Sequence, residues 1–162
     1  CQVSTSGGDI ELADIQGKTR ASTSGGDIRA ERIQAELTAG TSGGDIEIRD
    51  LRAGLTASTS AGDIDVVVTL NDFDKPHATK LTTSAGDVNL TLPEKLPASI
   101  EAELYVDERD RSRYDIFSDF PLKKTQPKEF GDRLIRGEGD ISGGGDPILL
   151  KTSAGNIRIQ KN

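Results

Sequence analysis

Tryptophan and methionine are absent, and the 162 residues hold only two tyrosines and four phenylalanines. A core built on large rings is therefore excluded, and any core must be thin and made of Ile, Leu, Val, Ala and Thr. The single cysteine, Cys1, cannot form an internal disulfide, so cysteine usage does not fix the redox compartment. No apolar run approaches the roughly 18 residues that a membrane-spanning helix needs. Lys and Arg number 20 against 27 Asp and Glu, a formal net charge of −7, and no long basic run occurs. This argues against nucleic acid as a partner, because phosphate binding needs a concentrated Lys/Arg surface. With no Met and Cys1 first, the sequence reads as what is left after removal of an N-terminal part.

What the chain has instead is a repeat. The 18 glycines fall at fixed offsets, which points to many tight turns rather than a disordered tract. Ser6-Gly7-Gly8-Asp9-Ile10 returns as Ser24-Gly25-Gly26-Asp27-Ile28, Ser42-Gly43-Gly44-Asp45-Ile46 and Ser60-Ala61-Gly62-Asp63-Ile64, with Asp every 18 residues (27 − 9, 45 − 27, 63 − 45). Later echoes are Ser84-Ala85-Gly86-Asp87-Val88, Gly144-Gly145-Asp146 and Ser153-Ala154-Gly155-Asn156-Ile157. A fixed period of this size predicts a repeat architecture. Within a period Ile10 and Leu12 alternate, Ile15 follows after a one-residue phase change, and small residues lead to Ala21 and Thr23. Period two reads as strand, so each repeat predicts two short strands and two turns.

An antiparallel meander and a β-solenoid both satisfy that description. Reading down columns favours the solenoid. Ile10, Ile28, Ile46 and Ile64 form one column; Leu12, Ala30, Ile48 and Val66 a second; Ile15, Ile33 and Leu51 a third; Thr5, Thr23, Thr41 and Thr59 a fourth. Exposed columns alternate in sign, Glu11, Arg29, Glu47 and Asp14, Arg32, Asp50. Such alternation makes sense when residue i lies beside residue i+18, because opposite charges on neighbouring strands stabilise and like charges do not. Cys1 falls in the column of Thr19, Leu37 and Leu55 and reads as a small core residue of a partial coil, the other reading being a lipid-modified N-terminal cysteine.

The period then slips. Asp87 comes 24 residues after Asp63, so about six residues are inserted near 71–78 as a bulging loop. Strand character resumes at Leu81–Leu92, Ala98–Val106, Leu134-Ile135, Ile148-Leu149-Leu150 and Ile157-Arg158-Ile159. Between 105 and 137 the repeat is lost in a segment holding Tyr105, Tyr114, Phe117, Phe120 and Phe130. A narrow coil cannot seat these rings, so they are expected to cover a side or end of the stack, whose bare edge is an aggregation hazard. The length suits one domain over 1–162.

The repeated Ser-Gly-Gly-Asp-Ile turns, the unit Gly86-Asp87-Val88-Asn89-Leu90-Thr91-Leu92-Pro93 and the closing Thr152-Ser153-Ala154-Gly155-Asn156-Ile157-Arg158-Ile159 resemble the adhesin-type group of bacterial β-strand-repeat proteins, related to the head GIN domain of autotransporter adhesins. The segment 105–137 is matched loosely, chiefly by Ser118-Asp119-Phe120-Pro121-Leu122. The resemblance implies an all-β, right-handed, single-stranded parallel β-helix and a bacterial cell-envelope or extracellular setting, periplasm or cell surface. It brings no catalytic residues and no cofactor, and it suggests a cell-surface glycan, lipid or envelope protein as partner.

Three groups of residues are candidates for chemistry. The Asp9, Asp27, Asp45 and Asp63 column would bring carboxylates within strand spacing of one another, about 4.8 Å, so something must offset their repulsion. Either each accepts a backbone N–H in its own turn, or calcium sits between them, although calcium wants six to eight oxygens. Gly137-Glu138-Gly139-Asp140 and Gly143-Gly144-Gly145-Asp146 look locally like calcium turns. Asp72, Asp74 and His77, with Lys75, form the only loop with a histidine and could serve acid–base or metal chemistry, against a solvated polar loop. Asp107, Glu108, Asp110 and Arg111 could join them in a polysaccharide-active enzyme, since parallel β-helices include such lyases and hydrolases; a charge-dense loop is the plainer account. Phosphate loops are excluded, because strands and not helices follow the Gly pairs. The expectation is a non-enzymatic envelope protein, an adhesin, scaffold or sensing module, with a polysaccharide-active enzyme and a calcium-stabilised module as alternatives.

Overall fold

The computed structural model describes residues 1–106, 113–126 and 134–162. Among these residues sixteen strands make two sheets: β1 (Gln2–Ser4), β2 (Ile10–Ile15), β3 (Thr19–Ser22), β4 (Ile28–Ile33), β5 (Leu37–Gly40), β6 (Ile46–Leu51), β7 (Leu55–Ser58), β8 (Ile64–Val68), β9 (Thr79–Thr82), β10 (Val88–Leu92), β11 (Ala98–Tyr105), β12 (Ile116–Ser118), β13 (Lys123–Thr125), β14 (Leu134–Ile141), β15 (Asp146–Thr152) and β16 (Ile157–Lys161). Odd strands β1 to β9 line one sheet and even strands β2 to β10 the other, so each period winds once through both. The register is the 18-residue one: Ile10 pairs with Ile28, Ile28 with Ile46 and Ile46 with Ile64, all parallel. A β-solenoid results, not a meander.

The columns read from the sequence are the interior. Ile28, Ile46 and Ile64, Ala30, Ile48 and Val66, and Ile33 and Leu51 are buried in one continuous apolar core that runs from Ile10 to Ile159. The phase change before Ile15 has a backbone cause. Asp14, Arg32 and Asp50 have φ of 56°, 54° and 52°, and one left-handed residue per coil turns the next side chain inward as a bulge does. Coil four drops that residue, so Val66 pairs with Ile48 but Val68 with Leu51.

Two features depart from expectation. First, coils do not stack in chain order. β15 lies between β9 and β11, and β16 lies between β10 and β12, so the last coil of the chain is inserted inside the stack. Second, pairing is not parallel throughout: β14 runs antiparallel to both β11 and β13, which extends one sheet beyond the other at that end. Phe120 is buried and Tyr114 packs on the core, the covering role expected of the ring-bearing segment, whereas Phe117 is 51% exposed. Phe130 lies outside the described residues.

Cys1 does sit across from the Thr19 column, since the Arg20 N–H donates to its carbonyl at 2.9 Å, but its side chain is exposed rather than core. The reason is position: the coil of β1 and β2 is the outermost of the stack, and nothing among the described residues lies over it.

Candidate functional site: the corner ladder and the charged sheet face

Each Ser-Gly-Gly-Asp corner is built from three stacked interactions. The Asp9 carboxylate accepts the Asp27 backbone N–H at 2.9 Å, Asp27 accepts that of Asp45 at 3.0 Å, Asp45 that of Asp63 at 2.8 Å, and Asp63 that of Asp87 at 2.8 Å. Asp87 then accepts the Asn156 N–H at 2.7 Å, and the Asn156 side-chain oxygen accepts the Asp115 N–H at 3.1 Å. Expectation placed each carboxylate on a donor in its own turn. The donor instead belongs to the next coil, because strand spacing brings that N–H, not its own, in line with Oδ1. The ladder follows spatial order, so it jumps from Asp87 to Asn156 without interruption.

Threonine supplies the second rail. Thr23, Thr41, Thr59, Thr83 and Thr152 donate Oγ1 hydrogen bonds of 2.9–3.0 Å to the carbonyls of Gly8, Gly26, Gly44, Gly62 and Gly86. The second glycine of the motif is the third. A Cβ on Gly44 would lie 2.2 Å from the Gly26 carbonyl oxygen, and one on Gly62 2.2 Å from that of Gly44. The first glycine faces open space at Gly7 and Gly25, which is why Ala61, Ala85 and Ala154 fill that place in later coils.

The outer face of the even-numbered sheet is a charged array. Arg29 reaches Asp27 at 2.8 Å, Asp9 at 3.8 Å and Glu47 at 3.9 Å; Arg32 clasps Asp14 through both carboxylate oxygens at 2.6 and 3.0 Å; Arg49 pairs with Glu47, and Arg52 with Asp50 at 2.8 Å. The Arg32 hydrogen bonds hold Asp14 below the usual carboxylate range, and the Thr69 hydroxyl, helped by Arg52, does so for Asp50. Sign alternation ends at coil four, where Asp65 follows Glu47. Partial loss of solvent raises the Asp65 carboxyl against a hydrogen bond from Asn89, and the Asp63, Glu47 and Asp45 carboxylates push it the same way. At Asp87 burial also acts upward but is outweighed by the Asn156 N–H and by Arg158 at 2.5 Å, leaving that carboxyl lowered.

The acid–base and metal candidates do not converge. His77 is buried, not solvated: Nδ1 lies 2.9 Å from the Lys75 carbonyl, Nε2 lies 2.7 Å from the Pro97 carbonyl, and its backbone N–H donates to Asp146 at 2.7 Å. It ties the insertion to the strands β11 and β15 begin. Asp72 accepts the Asp74 N–H in its own turn. Gly137, Glu138, Gly139 and Asp140 lie inside β14 rather than in a calcium turn, and Gly139 is there because a Cβ would meet the Pro121 carbonyl at 2.5 Å. The Gly143–Asp146 stretch is a tight β14–β15 turn with Gly143 and Gly144 at φ 92° and 83°. Among the described residues no group of three or more His, Cys, Asp or Glu is arranged to hold a metal. Asp107, Glu108, Asp110 and Arg111 lie outside the described residues. Sequence reasoning overlooked the groove of about 410 Å³ beside the insertion, where Lys75 and Pro76 lean over Gln34, Glu36, Arg52 and Gly54. The slip in period was the only signal of it.

No curated protein and no solved structure matches the chain. A family model does, over residues 1–160, and through it the fold just described acquires its name: the chain belongs to the Toastrack DUF4097 family.

Proposed function

We propose that this Toastrack domain is a non-enzymatic binding and scaffolding module of the bacterial cell envelope, periplasmic or surface-exposed, that presents its charged sheet face to a glycan, lipid headgroup or envelope protein. One observation carries the reading. Arg29, Arg32, Arg49 and Arg52 are held by carboxylates of their own or neighbouring coils, so the face is an array of charges already paired in the free protein. Ordering those side chains in advance lowers the entropic cost of binding a repetitive surface. The envelope setting and the adhesin-type role related to GIN domains rest on the repeat resemblance. The enzymatic alternative draws less support, because His77 in the first insertion is engaged by backbone carbonyls.

The test is binding of the purified chain to cell-wall fragments, anionic and zwitterionic vesicles, and arrayed surface glycans. The expected result is saturable binding to one class that weakens at least tenfold when Arg29, Arg32, Arg49 and Arg52 are all changed to Gln. Absence of binding to all classes, or equal binding by the variant, overturns the proposal.

A further inference from the structure

The first interruption of the period, near 71–78, has little of its own to hold it. Within it the Asp74 N–H donates to the Asp72 carboxylate at 3.3 Å and the Lys75 N–H to the Asp72 carbonyl at 3.4 Å, both long. Asn71, Asp72, Asp74, Lys75 and Pro76 are exposed, and Phe73 packs on the core. His77 anchors the stretch from behind: it is 5% exposed, and the Thr79 hydroxyl donates to its carbonyl at 3.0 Å.

The His77 ring meets oxygen on both sides. Nδ1 lies 2.9 Å from the Lys75 carbonyl and Nε2 2.7 Å from the Pro97 carbonyl, and a carbonyl can only accept. A neutral imidazole carries one N–H, so either tautomer sets a ring lone pair against a carbonyl lone pair. The imidazolium donates from both nitrogens and satisfies both. Its charge has a partner, since the Asp146 carboxylate that accepts the His77 backbone N–H at 2.7 Å lies 3.5 Å from Nδ1. Among the described residues the other charged groups nearby make no ion pair with the ring. Asp72, Asp74 and Lys75 of the insertion and Lys95 before β11 are exposed, and Glu94 is paired with Lys161 at 3.2 Å.

We propose that His77 is a proton-operated latch. With both ring nitrogens protonated, the insertion is held to the starts of β11 and β15. Loss of one proton, which histidine undergoes between about pH 5 and 8, gives up the Lys75 or the Pro97 contact and frees it. The closed form carries the extra proton, so acid favours closure and rising pH favours release. What moves is a wall. Lys75 and Pro76 lean over Gln34, Glu36 and Arg52 at the groove of about 410 Å³, so the shape of that groove follows pH. The latch does not depend on the reading of the sheet face.

His77 is the only histidine of the chain, so its ring signals in nitrogen-edited NMR assign themselves. At about pH 5.5 two ring N–H protons shielded from solvent are expected, and at about pH 8 no more than one. Over that range the His77 amide is expected to lose about tenfold or more in protection from hydrogen exchange, corrected for the intrinsic effect of pH. The Asp45 and Asp63 amides of the corner ladder are expected to keep theirs. His77→Gln, whose folding is checked by its melting temperature, is expected to abolish the pH dependence. A single shielded ring N–H at the acid end, a His77 amide equally protected at both pH values, or the same pH dependence at residue 77 in the variant overturns the proposal.

Discussion

At the residue scale the two glycines of each corner have different duties. The first faces outward and the second lies under the carbonyl of the corner before it. Gly43→Ala, where the nearest atom to the new Cβ is 3.8 Å away, is expected to change stability by no more than about 0.5 kcal/mol. Gly44→Ala drives a methyl to 2.2 Å from backbone and is expected to cost about 2–3 kcal/mol. Denaturant melts of the two variants check this, and equal effects would contradict it. The sequence showed the difference by substituting Ala only at the first position, yet pointed to conformational freedom rather than close approach as the cause. Asp65 makes a second prediction. Its folded-state carboxyl is raised, so the native state binds more protons than the unfolded one, whose Asp titrates near about 3.9. Stability from this group is therefore full below that value and falls as pH rises through the raised one. Asp65→Asn keeps an acceptor for Asn89 and should raise the neutral-pH melting temperature by about 1–2 °C, with no gain below pH ~4. Asp87 acts in the opposite sense: its lowered carboxyl adds stability above the ordinary Asp range that is lost as pH falls through its folded value.

At the scale of elements, the strands and their register were legible because Ile columns and charge columns repeat every 18 residues. The order of coils was not. β16 pairs with β10 across 69 residues (157 − 88), and a period search along the chain has no means of finding a coil that returns to the middle. The one trace was chemical: Ser153-Ala154-Gly155-Asn156 shares its alanine with Ser84-Ala85-Gly86-Asp87, its spatial neighbour, rather than with the first corners. A consequence is that the C-terminal strands are central. Deleting Asp146–Asn162 removes the partners of β9 and β11 in one sheet and of β10 and β12 in the other. Such a chain is expected to lose its cooperative thermal transition, read by far-UV circular dichroism, whereas a peripheral element would leave a lowered but sharp one. The insertion at 71–78 was visible as a break in period, but the role of His77 was not. A lone polar side chain gives no sign in sequence of the Pro97 carbonyl or the Asp146 carboxylate that folding brings to it.

For the whole molecule, the central claim is that coils are locked to one another by side-chain acceptors reaching one rung onward, in spatial and not sequential order. That locking makes a long, thin core sufficient without large rings, and it holds the charged face in one arrangement. The link between Asp87 and Asn156 tests both halves of the claim at once. Amide hydrogen exchange, followed residue by residue in Asp87→Ala, is expected to show the Asn156 N–H losing protection well beyond any uniform change across the chain, while the Asp45 and Asp63 amides, held by Asp27 and Asp45, follow only the uniform change. An Asn156 amide that exchanges no faster than those of its neighbours in the variant would contradict the ladder and the inserted coil together.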